Sequence, residues 1–212
     1  MMKPYRMLGA ALGWFTIVTQ YWLNVQQFGV VLATITYFGF FTMLGNILVA
    51  FAFAAPLCPG FPGAGFFHRP GVRTAIAVYI VVVDVIFYLL LRKIYTPTGL
   101  GGVLNLLLHY IMPPLYVVDW LVFVPKQSLS YRQIPFWLIF PIAYLAVVLV
   151  RGAASGYYPY PFLDAGMFGY RQIAINIAAL SLFFILLAAA LVALGRWQAG
   201  PRRNASNTPV PE

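Results

Sequence analysis

The sequence predicts an all-α, polytopic membrane protein, a bundle of six transmembrane helices with both termini in the cytoplasm. Three observations carry this expectation. Hydrophobic residues fill 62% of the 212 positions and charged residues 8%, with mean hydropathy +0.85, which leaves too little polar surface to clothe a soluble domain. Apolar runs of about 20 residues, the length that crosses the hydrocarbon core, recur along the whole chain. Lys and Arg are divided unequally between alternate connecting segments, as the positive-inside rule requires of a polytopic chain.

The six expected spans cover 7–27, 34–57, 73–92, 101–124, 134–151 and 172–195, within a single domain of 1–197. Lys3 and Arg6 precede the first run in the manner of a signal peptide. The run is too long for one, however, and no small-residue cleavage pattern follows it, so it reads as a retained first helix. The second run ends in P-L-C-P-G-F-P-G-A-G-F-F-H-R-P-G, a stiff turn punctuated by Gly and Pro. The third ends at Arg92 and Lys93. The fourth carries Pro113 and Pro114, which remove backbone donors and predict a kink that exposes carbonyls. Between the fifth and sixth runs, 152–171 is rich in Gly, Tyr and Pro, and reads either as a lid dipping inward or as an aromatic belt with a turn. Residues 198–212 read as a disordered cytoplasmic tail. There is no internal repeat, so an inverted-repeat transporter design gains no direct support.

Charge sets the orientation. Lys3, Arg6, Arg69, Arg73, Lys126, Arg132, Arg196, Arg202 and Arg203 fall on one side, against Arg92, Lys93, Arg151 and Arg171 on the other, which puts both termini inside. The net charge of +9 is scattered and forms no basic face. It suits anionic lipid headgroups and gives no reason to expect nucleic acid. The single cysteine, Cys58, excludes an internal disulfide and reads as a packing residue or an acylated juxtamembrane thiol.

Polar side chains inside spans are expensive, so their depth is informative. On this topology Thr42, His109 and Asp84 all fall ~12 Å below the outer surface, and Gln20 and Asn176 also lie in the outer half. Thr42 and Asn46 are four apart, as are Asn105 and His109, and Thr16, Gln20 and Asn24 repeat that spacing, so each helix bears one polar stripe. Tyr116 extends the His109 stripe. A polar pocket in the outer half is the expectation. Asp119, beside Trp120 at the cytoplasmic end, reads as an interfacial anchor, and His68 as a surface residue. For Gln20, Asn24, Asn46, Asn105 and Asn176 the plain alternative is hydrogen bonding between helices.

Two histidines at different depths, one cysteine and four acidic residues assemble no metal or haem site, and no cofactor is expected. No G-x-S-x-G elbow, phosphate loop or H-E-x-x-H occurs. A hydroxyl and an imidazole at matched depth fit ester hydrolysis, in which neutral His109 takes the Thr42 proton during attack on an acyl carbon. Asn46 or Asn105 would donate to the oxyanion, and Asp84 would orient the imidazole if its helix turns it inward. A small transporter or a non-catalytic lipid-binding protein using the same pocket is the alternative.

The stretches F-F-T-M-L-G-N, L-N-L-L-L-H-Y-I-M-P-P and Y-P-Y-P-F-L-D, set among six spans, resemble the androgen-induced-gene family of membrane hydrolases and its bacterial relatives. The resemblance covers nearly the whole chain, at low identity outside these stretches. It implies a six-span esterase of the bacterial inner membrane acting on fatty acid esters of hydroxy fatty acids, with membrane lipids as surroundings and substrate. It also implies Thr42 and His109 as the catalytic pair. Asn105 and Pro114 match positions flanking the family His, and Tyr160, Pro161, Phe162, Leu163 and Asp164 match the Y-P-F-L-acidic stretch. Asn46 stands where animal members have an acidic residue, and Asp84 matches nothing in the pattern.

Overall fold

Backbone amides inside hydrocarbon have no water to bond, so an apolar chain satisfies them within helices. In the computed structural model, which describes residues 2–60 and 62–200, every regular element described is helical. The α-helices are α1 (Met2–Tyr37), α2 (Phe41–Ala54), α3 (Ala64–His68), α4 (Pro70–Ile86), α5 (Gly99–Leu106), α6 (Met112–Phe123), α7 (Ile134–Ser155) and α8 (Ala165–Ala199). A π-helical turn, Phe87–Leu91, prolongs α4, and another, Leu107–Ile111, joins α5 to α6. Four continuous stretches are long and apolar enough to cross a membrane: Pro70–Leu91, Gly99–Phe123, Tyr131–Ser155 and Ala165–Ala199. α1 and α2, bent by 79° at their break, make a fifth if taken as one span.

α1 is folded back on itself. Gly29 has φ 72° and ψ 164°, a left-handed backbone that interrupts the helix and that glycine adopts without a steric penalty. Tyr37 then donates to the Ile17 carbonyl at 2.8 Å, and the Tyr21 and Thr34 hydroxyls meet at 2.8 Å. On a straight rod twenty residues would separate such groups by ~30 Å, so the chain reverses at Gly29. Helix resumes within one residue of that turn, and the only interruption inside the expected 34–57 run is at Phe38–Phe40. Hydropathy is blind to that interruption because the residues around it are as apolar as the helix.

Close packing holds the returning arms. A Cβ on Gly9 would come 2.8 Å from the Phe53 ring, and one on Gly13 3.1 Å from the Ala50 Cβ. Small residues four apart let two backbones approach, and this contact drives association where lipid is as apolar as the side chains. α4 is the central helix: 56% of its apolar window is buried, against 17% for α7 and for α8, which face outward.

At one end of the bundle, charge does the joining. Asp119 is fully buried and takes Arg6 Nε of α1 on Oδ1 at 2.8 Å and Arg73 Nη2 of α4 on Oδ2. The expected interfacial anchor is therefore the centre of an ion triad linking α1, α4 and α6. Burial among cations, which satisfies both oxygens, is favoured over an interface position where one would face lipid. Trp120 beside it donates to Thr74 Oγ1 at 2.9 Å. Lys126 Nζ closes the C-terminus of α6 by donating to the carbonyls of Trp120, Leu121 and Val124, matching a cation to the negative end of the helix. Burial lowers the Lys126 pKa and the nearby Asp119 opposes that shift. Of the expected tail, 198 and 199 belong to α8, and 201–212 lie outside the described residues.

Candidate functional site

Thr42 is the second residue of α2. The break before it delivers the hydroxyl to a helix N-terminus, where backbone N–H groups lack helical acceptors and the dipole is positive. The Thr42 N–H donates to Tyr160 Oη at 3.3 Å, and Thr42 Oγ1 shares a 3.4 Å hydrogen bond with the same phenol. Tyr160 arrives from the segment between α7 and α8. Its ring packs edge-on to Phe40 and stacks on Phe162, and burial raises its pKa while the bonds to Thr42 oppose that. It stays a neutral phenol, able to accept and donate at once.

Asn46, one turn beyond Thr42, donates from Nδ2 to the Thr42 carbonyl at 3.0 Å and to the Leu108 carbonyl at 3.4 Å. That amide ties α2 to the π-helical turn holding His109. Both of its N–H groups are thus engaged, so Asn46 positions the two elements and has no donor left for an oxyanion. His109 is buried, lies flat on Phe87 with centroids 3.7 Å apart and planes 10° apart, and its buried Nδ1 has no partner among the described residues. Phe87 opens one π-helical turn and His109 lies within the other, so the two irregular turns face each other at this stack. Such turns, uncommon in general, concentrate at functional sites. Pro113 removes the N–H that would have bonded the His109 carbonyl in a regular helix.

Asp84 is half-buried and its carboxylate makes no hydrogen bond or ion pair among the described residues; it lies three residues before Phe87, on that side of α4. No hydrogen bond joins it to His109. Asn105 Oδ1 is buried and has no partner among the described residues. Among the described residues the Gln20 side chain bonds only Asn24, at 3.1 Å along α1. Tyr116 is placed in the other half of the bundle, donating to the Arg73 carbonyl at 3.2 Å beside the ion triad. Asp164 caps α8 by accepting from Gly166 and Met167 N–H groups. Asn176 donates to the Phe162 carbonyl at 2.8 Å and so anchors the turn that carries Tyr160 to Thr42.

Comparison with protein-family models, curated proteins and solved structures gives no match. A cavity of about 130 Å³ between α4, α7 and α8 has Thr42, Tyr144, Tyr160 and Ser181 as its polar lining, and Val83, Leu138, Pro141 and Phe184 among its apolar lining. Thr42 thus borders an apolar chamber with a few convergent polar groups, the usual form of a small-molecule site. His109 does not line it and lies in the π-helical turn between α5 and α6.

Three contributors escape sequence reading: Tyr144, Ser181 and the Phe87 stack. Tyr144 donates to the Gly39 carbonyl at 2.9 Å and so braces the break ahead of Thr42; only its four-residue distance from Phe140 on one helix face hinted at an inward position. Removing the Tyr160 hydroxyl tests the local accounting. Tyr160→Phe strips the Thr42 N–H of its acceptor, and a buried unpaired donor costs about 1–3 kcal/mol. The expected result is a lowered thermal midpoint, with Phe162→Tyr, which keeps the stack, close to wild type.

Proposed function

We propose that this protein is an intramembrane ester hydrolase of the bacterial inner membrane, acting on fatty acyl esters with Thr42 as nucleophile and His109 as base. Counting the two arms of α1 separately, the second continuing into α2, gives six crossings with both termini cytoplasmic, and Thr42 then opens toward the extracytoplasmic leaflet. The observation that carries the reading is the Thr42 hydroxyl at a helix N-terminus on the wall of an apolar chamber.

In the first half-reaction Thr42 Oγ1 bonds to the ester carbon while His109 accepts its proton. The bond to the alcohol oxygen then breaks and the imidazolium protonates that oxygen. Water next attacks the acyl-threonine, gives a proton to His109, and the bond to Thr42 breaks with return of the proton. The products are a fatty acid and an alcohol. The developing oxyanion is met by N–H groups at the start of α2, once the substrate displaces the Tyr160 phenol from the Thr42 amide.

A second reading, lipid binding without chemistry, is favoured by one observation: no hydrogen bond joins Thr42 and His109, and His109 Nδ1 has no partner. A fluorophosphonate probe separates the two. The hydrolase labels covalently, and Thr42→Ala, which retains the fold, does not; Thr42→Ser keeps the label. Labelling that survives Thr42→Ala excludes Thr42 as nucleophile, and a wild type that neither labels nor hydrolyses any of a panel of lipid esters leaves the binding reading standing.

A further inference from the structure

A second cleft lies on the other side of Tyr144, between the Phe38–Phe40 break and α7. It holds about 370 Å³ and is lined by Ile35, Phe38, Leu44, Phe140 and Val147, with Arg151 at its end. Ile35 and Phe38 are about half exposed and Val147 is 65% exposed, so the cleft opens sideways toward lipid.

The guanidinium is seated with unusual care for a group that bonds so little. A Cβ on Gly39 would come 2.5 Å from Nη1 and 2.8 Å from Nη2, so the absence of a side chain there makes the space it occupies. Nη1 donates to the Ile35 carbonyl at 3.1 Å, and the Tyr157 ring lies 5.4 Å away. Nε and Nη2 are buried with no partner, and Arg151 makes no ion pair among the described residues. Unpaired buried donors are costly, doubly so on a charged group, and native structures fill them.

We infer that this cleft binds a single-chain amphiphile bearing a carboxylate, a fatty acid of the surrounding bilayer, with its headgroup on Arg151 and its tail along Phe38, Leu44 and Phe140. Nε–H and the adjacent Nη2–H project side by side from one edge of the guanidinium, the fork that a planar carboxylate accepts through both oxygens. One such anion satisfies both donors and neutralises the one local charge. No acidic side chain lines the cleft to compete. The site needs no ester bond and no nucleophile, so it stands apart from the reading of Thr42.

The test uses the full chain in phosphatidylcholine nanodiscs and a palmitic acid carrying a photoreactive diazirine near its tail, beside the methyl ester of the same probe. The acid is expected to label peptides around 38–44 and 140–151 about tenfold or more above the methyl ester, the factor that one charge-assisted pair supplies. Arg151→Gln reduces the acid to the level of the ester, and unlabelled palmitate competes where phosphatidylglycerol does not. Equal labelling by acid and methyl ester in Thr42→Ala, where Thr42 cannot convert the methyl ester to the acid, overturns the proposal without any change at Arg151, so a folding defect in Arg151→Gln leaves the decision intact. Equal competition by phosphatidylglycerol overturns the choice of a carboxylate. Because Thr42 is absent from the comparison of acid with ester, its outcome does not depend on whether Thr42 hydrolyses anything.

Discussion

Asp119→Ala is expected to destabilise the protein by about 3–5 kcal/mol, the usual consequence of removing one partner from a buried ion pair. The carboxylate is fully buried and holds Arg6 and Arg73 on its two oxygens. Its loss leaves two guanidinium groups buried at the junction of α1, α4 and α6. Arg73 keeps its bond to the Ala52 carbonyl at 2.9 Å, but no other carboxylate is in reach of either cation among the described residues. Unfolding in a mixed detergent, followed by helical circular dichroism, reads the effect. The triple variant Arg6→Met, Arg73→Met, Asp119→Leu separates charge from packing, because replacing the whole network by apolar groups of similar volume is near neutral in well-packed cases. Recovery in the triple variant places the loss on the stranded charges. A single variant within about 1 kcal/mol of wild type, the range of an exposed pair, would show that the triad does not hold the helices together.

The triad marks a limit of reading sequence. Arg6, Arg73 and Asp119 are each visible in the sequence, yet the positive-inside bias gives the cations a topological role and the adjacent Trp120 gives the acid an interfacial one. Their separations of 113 and 46 residues give no local sign that they meet. The same limit applies to Thr42 and Tyr160, 118 residues apart. The apolar runs that became α4, α7 and α8 were legible because burial in lipid demands length and hydropathy alone. The stripe logic held where partners lie on one helix, as with Gln20 and Asn24, or Thr42 and Asn46. It failed for Tyr116, which the π-helical turn and two prolines between it and His109 rotate away: a π-helical turn adds a residue and shifts every later side chain around the axis. Gly9 and Gly13, a small pair four apart, were a usable sign of close helix approach.

His109→Gln is expected to lower kcat on a fatty acyl ester about 10²–10⁴-fold, the span that a positioned general base contributes, while KM changes little. The split follows from placement. The apolar chamber is lined by Thr42 and apolar side chains of α4, α7 and α8, whereas His109 lies outside it, stacked on Phe87. On the proposed mechanism substrate affinity belongs to one set of groups and proton transfer to another, and losing the base leaves the binding surface whole. Glutamine keeps a polar group of similar reach, so the loss of a titrating nitrogen dominates. Phe87→Leu supplies the contrast: it removes the stacked ring, loosens the imidazole and lowers kcat by less, because a mispositioned base still accepts a proton part of the time. A lower thermal midpoint in His109→Gln with kcat unchanged would make the imidazole a packing element between two irregular turns, and Thr42 would then need another base.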